Sequence, residues 1–155
     1  MFKRLTLLLA TGFGLGYSPV APGTAGTLLG VGIAAAAGSL AWPWQAGLAA
    51  LLALLAVPLC QAGEDRLGGK DDRRIVADEY LTFPLCVVGL PWPEHPWLLG
   101  LAFLTHRALD IVKPPPAMQA QRLKGGLGVA ADDVISSLYA LGVNHLVWLG
   151  VKALT

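Results

Sequence analysis

Three tight groups of acidic residues stand out in a chain that is otherwise mostly apolar: Asp78-Glu79, Asp110 and Asp132-Asp133. Each follows apolar neighbours, Ile75-Val76-Ala77 before the first, Ala108-Leu109 before the second and Val129-Ala130-Ala131 before the third. An ionised carboxylate in such surroundings is costly unless a cation or a hydrogen-bond donor meets it. Three groups on separate segments therefore suggest convergence on a divalent metal and on basic side chains, the equipment of phosphoryl chemistry. The candidate metal ligands and catalytic residues are Asp78, Glu79, Asp110, Asp132 and Asp133, with Asp71 in second rank.

The basic partners are close by in sequence. Arg107, Asp110 and Lys113 are spaced three apart, which makes them neighbours on a helix. Arg107 and Lys113 are candidates to hold phosphate oxygens while Asp110 binds metal. The rival reading is a surface ion-pair ladder, yet this ladder lies in an apolar stretch that stops at Pro114-Pro115-Pro116. For the two acid pairs the rival is simpler still: acids in a first helical turn complement the helix dipole. Against it, adjacent residues point about 100° apart on a helix, so Asp78 and Glu79 do not share one face and at least one needs a polar partner inside.

The positioning elements read as helices separated by glycine and proline. Helical segments are expected over residues 25–40, 45–62, 75–90, 97–112 and 130–152, with a short amphipathic piece over 117–123. Trp42-Pro43-Trp44 reads as a turn, residues 64–74 as a polar loop and Gly125-Gly126-Leu127-Gly128 as a hinge. Residues 12–23 carry too many glycines and prolines for a continuous helix. Ser18 and Thr24 in that region are candidate phosphate contacts, and Thr24 is a candidate cap for the helix that follows, whose N-terminus would attract an anion.

Composition sets the medium. The chain of 155 residues is 55% hydrophobic and 14% charged, against about 25% charged in an ordinary soluble domain, and its mean hydropathy is +0.60. Residues 5–63 and 134–151 carry no formal charge; each is long enough to cross a hydrocarbon core of about 30 Å as a helix. This predicts a single all-α domain over residues 1–155, a compact bundle of about six helices associated with membrane lipid. A net charge of +1 gives no basic face for nucleic acid. Lys3-Arg4 and the charged loops fall on one side, which the positive-inside tendency makes cytoplasmic. The N-terminal run is interrupted at Thr11-Gly12-Phe13-Gly14 and lacks a small-residue cleavage site, so it is expected to be retained. Cys60 and Cys86 read as buried free thiols, lacking metal-ligand spacing. His106 reads as a helix-surface residue.

Four blocks now carry a resemblance: TGFGLGYSPVAPGTAGT over 11–27, KDDRRIVADE over 70–79, RALDIVKPPP over 107–116 and GGLGVAADD over 125–133. In this order and spacing the chain resembles the phosphatidylglycerophosphatase A family over nearly its whole length. The resemblance implies an all-helical, Mg²⁺-dependent, membrane-associated enzyme of the bacterial inner membrane, its site facing the cytoplasm, that converts phosphatidylglycerophosphate to phosphatidylglycerol. Two departures are visible. The family's glycine three residues after Asp-Glu is replaced by Thr82, and Arg73-Arg74 stand where a small residue is favoured before Ile-Val. The arginines either add a contact to a phosphate or lipid headgroup or merely solvate the loop. Direct attack by an aspartate, giving an aspartyl-phosphate, remains an open alternative to metal-assisted water attack. A different class, a small helical membrane transporter or ion-binding protein, would use the same acids. It requires them near the bilayer midplane, whereas in this sequence they fall at helix ends.

Overall fold

A computed structural model describes residues 2–154, with side chains over 4–154. The described residues form seven α-helices and two 3-10 turns, with no strand. Helix α1 (Phe2–Ala10) ends where Thr11 Oγ1 donates back to Leu7 O. A 3-10 turn over Gly12–Tyr17 follows, with Gly12, Phe13 and Gly14 at positive φ. Helix α2 (Pro22–Ala36) starts on a proline, whose fixed φ and missing N–H suit a first turn. Its cap position is held by Ala21 in the left-handed region, so Thr24 lies inside the helix and does not cap it.

Helix α3 (Trp42–Leu67) is longer at both ends than the sequence suggests. Trp42-Pro43-Trp44 forms its first turn, not a separate connection. At the other end Glu64 to Leu67, expected in a loop, continue the helix. Gln61 Nε2 donates to Asp65 Oδ1 one turn on (2.8 Å), and Gly68 in the left-handed region (φ 78°) supplies the stop. The next apolar segment is broken, not continuous: α4 (Ala77–Thr82) passes into a 3-10 turn over Phe83–Val87 that contains Pro84. Helices α5 (Trp97–Val112), α6 (Ala117–Ala120) and α7 (Gly126–Leu154) complete the chain. The glycine run is therefore helical from Gly126 onward, and only Gly125 (φ 66°) turns the chain.

Helix α7 is the hub, packed against α3, α4, α5, α6 and the second 3-10 turn. Residues 75–87 supply the bundle's interior. Ile75, Val76, Ala77, Tyr80 and Leu81 pack with Cys60 and Val129, while Phe83, Cys86 and Val87 pack with Leu98 and Ala102. Two hydrogen bonds tie this segment to α1: Val76 N to Ala10 O, and Tyr80 Oη to Leu9 O, each 3.0 Å. Both cysteines are buried and free.

Helices α3 and α7 are long and apolar enough to cross a membrane, and only 22% of the most apolar stretch of each is buried within the protein. Leu54 and Leu146 are 71% and 70% exposed. Exposed aliphatic surface on this scale needs lipid, not water, around it, and the protein is membrane-associated. Its ends differ. Trp42, Trp44 and Trp97 are exposed at the N-terminal ends of α3 and α5, and Trp148 of α7 lies against His95 and Trp97, forming an aromatic end suited to an interface. The charged residues of segments 64–74 and 107–133 gather at the other end, about 24 Å away along the 16 residues of α5.

The α3–α7 crossing is tight because Gly126 has no side chain. A Cβ there would lie 2.2 Å from Val57 O and 2.3 Å from Gln61 N. Replacing Gly126 by Val should push the helices apart and cost about 1–3 kcal/mol, read as a lower melting temperature in detergent. Gly142→Ala, where nothing lies within 4 Å of the added atom, should be neutral or slightly stabilising.

Candidate active site

Three helices deliver the acids to one place. Asp78 and Glu79 ride on the first turn of α4, Asp110 on the last turns of α5, and Asp132-Asp133 on the second turn of α7. With Arg107, Lys113, Asp71 and Arg73 they line a cleft of about 350 Å³ at the charged end of the bundle, closed on one side by the start of α2. Lys113 reaches it because it ends α5 in the left-handed region (φ 48°) and so turns out of the helix path. Gly23 makes room for the acids: a Cβ there would lie 2.3 Å from Glu79 Oε1 and 3.3 Å from Arg107 Nη2.

The cations do not neutralise this cleft evenly. Arg107 Nη1 donates to Asp110 Oδ2 (2.7 Å). Lys113 Nζ contacts Asp132 Oδ2 and stands 3.9 Å from Asp110 Oδ1. The basic residues thus engage Asp110 and one oxygen of Asp132. Asp78 Oδ1, Glu79 Oε2, Asp132 Oδ1 and Asp133 Oδ1 are buried with no hydrogen-bond partner among the described residues. One oxygen each from Asp78, Glu79 and Asp133 lies within 4.8 Å of the other two. Buried carboxylates without a partner are costly when ionised and call for a proton or a cation. An all-oxygen donor set fits a hard divalent cation, and Mg²⁺ in such a set keeps waters and binds through a few carboxylates.

Burial drives the Asp78 carboxyl well above its ordinary range, reinforced by the neighbouring Glu79 charge. Burial likewise pushes Glu79 up to about 8, with Asp133 adding to the effect. For Lys113, burial pulls the ammonium down, but the contact with Asp132 outweighs it and the group stands above its ordinary value.

The remaining sequence candidates are placed differently. Asp71 sits at the rim, its Oδ2 accepting from Gln121 Nε2 (2.9 Å) and its N–H donating to Glu64 Oε1 (2.8 Å). Ser18 and Thr24 are not among the residues that line the cleft; Ser18 Oγ donates to Val20 O (2.8 Å), closing its own turn. The arginine pair divides. Arg74 is held bidentate by Asp72 at 2.7 and 2.8 Å, whereas Arg73 lines the cleft. Gly23 escapes a reading by residue type, since it brings no reactive group; only its setting between Pro22 and Thr24 hints at it. His106 is fully buried, not on the helix surface. It lies edge-on to Phe83 (5.9 Å) with Nδ1 3.4 Å from Ser137 Oγ, directly beneath the site.

Protons and a cation compete for these oxygens. Glu79 ionises near 4.5 in an unfolded chain and near 8 in the folded one. The folded form therefore holds a proton that the unfolded form loses, and its advantage is full below about 4.5 and fades as pH rises toward about 8. Without divalent cation, the melting temperature should be higher near about pH 5 than near about pH 8.5. Glu79→Gln should shrink that difference, and added Mg²⁺ should restore stability mainly at the alkaline end.

Comparison with known proteins agrees with the four sequence blocks. The family model described as phosphatidylglycerophosphatase A matches residues 8–148. A protein of Bacteroides thetaiotaomicron with the provisional name phosphatidylinositol-3-phosphatase is 37% identical over 149 residues, covering 88% of this chain and 89% of its own. Proteins named phosphatidylglycerophosphatase A from Escherichia coli K12 and Haemophilus influenzae Rd are 30% and 36% identical, each over 90% of this chain and over 81% and 89% of their own length. No solved structure matches the chain significantly. With a family model covering most of its length and relatives of 30% and 36% identity over 90% of the chain, the chain belongs to the phosphatidylglycerophosphatase A family.

Proposed function

We propose that this chain is a Mg²⁺-dependent lipid phosphomonoesterase that hydrolyses phosphatidylglycerophosphate to phosphatidylglycerol and inorganic phosphate, at the cytoplasmic face of the bacterial inner membrane. The observation that carries the reading is the pairing of four unpartnered buried carboxylate oxygens with two cations in one cleft at the charged end of a lipid-embedded bundle. The names of the relatives supply the substrate class.

Asp78, Glu79 and Asp133 would hold the cation. When bound, Mg²⁺ neutralises charge on the phosphate and makes a nearby water more acidic. Arg107 and Lys113 face the same space, and each keeps N–H donors beyond those given to Asp110 and Asp132. They bind the non-bridging phosphate oxygens and stabilise the charge that builds on them. Asp132 is held at Oδ2 by Lys113 and keeps Oδ1 free, so it accepts the proton of the attacking water. The water oxygen bonds to phosphorus, the bond from phosphorus to the glycerol oxygen breaks, and that oxygen takes a proton from the solvent-open side.

Arg73 has a separate task. It lines the rim with no ion-pair partner among the described residues, whereas Arg74 is occupied by Asp72. A lipid substrate brings a second phosphate, the diester that joins headgroup to diacylglycerol, and Arg73 is placed to meet it. The transport class is not favoured, because the acids open to the charged end of the bundle and not to its middle.

Purified protein in detergent should release phosphate from phosphatidylglycerophosphate with Mg²⁺ and stop on chelation. Phosphatidylinositol 3-phosphate, run in parallel, should be cleaved more slowly; preference for it would replace the headgroup assignment while keeping the chemistry. Asp132→Asn should lower turnover by about 10²–10⁴-fold with its melting temperature kept, and near-normal turnover would show that Asp132 is not the base. Arg73→Ala should raise KM for the lipid by about fivefold, in line with the ~1 kcal/mol of an exposed ion pair, with kcat unchanged. KM for a soluble phosphomonoester lacking a second phosphate should not move.

A further inference from the structure

On the far side of α7 from the carboxylates a second surface runs along the seam with α3. On α3 and its cap residue it is lined by Ala50, Leu54, Val57, Gln61, Asp65 and Gly68. At 100° per residue these positions fall on one stripe that runs straight for five turns. On α7 the stripe is Leu127, Ala131, Val134 and Leu138. Relative to Leu127, Asp132 and Asp133 point about 140° and 240° around the helix, so the seam and the catalytic cleft use opposite faces. The two share no lining residue.

The seam changes character along its length. Its lower part is an open groove of about 550 Å³ with a wholly apolar lining. Its upper part, toward the charged end of the bundle, is a cleft of about 380 Å³ that contains Glu64, Asp65, Lys70 and Lys124. Among the described residues none of these four makes an ion pair. The two carboxylates accept only from an amide and a backbone N–H, Asp65 from Gln61 and Glu64 from Asp71. Two positive and two negative groups thus stand together without neutralising one another. From Leu127 to Leu138 the apolar stripe is about 16 Å long, close to the ~15 Å depth of one leaflet's hydrocarbon.

We propose that this seam binds one zwitterionic aminophospholipid of the surrounding leaflet, at a site separate from the catalytic cleft. Its phosphate lies on Lys70 and Lys124, its primary ammonium on Glu64 and Asp65, and one acyl chain fills the groove between α3 and α7. A headgroup with both signs satisfies all four side chains, whereas a purely anionic one leaves the carboxylates opposed. An apolar helix from another protein, or a second copy of this chain, would fill the groove but leave the four charges unmet.

Native mass spectrometry of the full chain in detergent tests this, with phosphatidylethanolamine and phosphatidylglycerol added separately. One phosphatidylethanolamine should be retained per chain, at least about fivefold more than phosphatidylglycerol. Ala131→Trp, and Ala50→Trp on the exposed side of α3 should the first variant fold poorly, should each cut retention about tenfold by filling the groove. Lys70→Ala with Lys124→Ala should cut it about fivefold. Phosphate release by these seam variants should stay within about twofold of the wild type, so that loss of lipid retention is read independently of the catalytic assignment. Equal retention of the two lipids, or retention unchanged by the groove-filling variants, would overturn the proposal. So would disulfide-linked dimers formed in membranes by Leu54→Cys, since the native Cys60 and Cys86 are buried and the link would show a second copy in the groove.

Discussion

The cost of holding several carboxylates out of water governs this molecule. Asp78, Glu79 and Asp133 converge from two helices onto a space where each keeps an oxygen without a partner among the described residues. Their apolar supports, Ile75 to Leu81 and Val129-Ala130, belong to one packed cluster, so the acids cannot relax apart without opening the core. Arg107 and Lys113 answer part of the charge, and they answer it at Asp110 and Asp132, not at the other three. Carboxylates paired this unevenly suit either retained protons or a bound cation.

The placement of the charge is as consequential as its amount. Tryptophans gather at one end of the bundle and nearly all the ionisable groups at the other, with bare aliphatic surface on α3 and α7 between them. The buried segment 75–87 sits among the helices and presents its Asp-Glu pair toward the charged end, so hydrophobic embedding and catalytic geometry come from the same stretch of chain. Gly126 allows α7 to press on the α3 backbone, and Gly23 allows α2 to approach Glu79 and Arg107. Missing side chains at two close approaches therefore let α3 and α2 close in on the helices that carry the acids.

Much of this is legible in the sequence because charge is so scarce there. Acids in an apolar setting are conspicuous, and their flanking residues imply helices whose ends meet. What is not legible depends on choices between near neighbours. Arg73 and Arg74 are the same residue type side by side, and only the grip of Asp72 on Arg74 decides which one faces the cleft. The glycines at 125–128 read as a hinge because propensity disfavours them in a helix, yet Gly126 and Gly128 are helical, and they are glycines because neighbouring backbone leaves no space for a Cβ. Thr24 looks like a cap by type, but Pro22 starts the helix earlier. His106 looks superficial because its partners, Phe83 and Ser137, are distant in sequence.

The separation of a charged end from an aliphatic waist has a kinetic consequence. A substrate whose two acyl chains never leave the bilayer meets the cleft only by lateral diffusion, while the phosphate it loses departs into water. The quantity that sets encounter is then the mole fraction of substrate among the lipids of one leaflet, not its amount per volume of solution. Diluting the membrane with inert lipid slows such an enzyme; diluting the suspension does not.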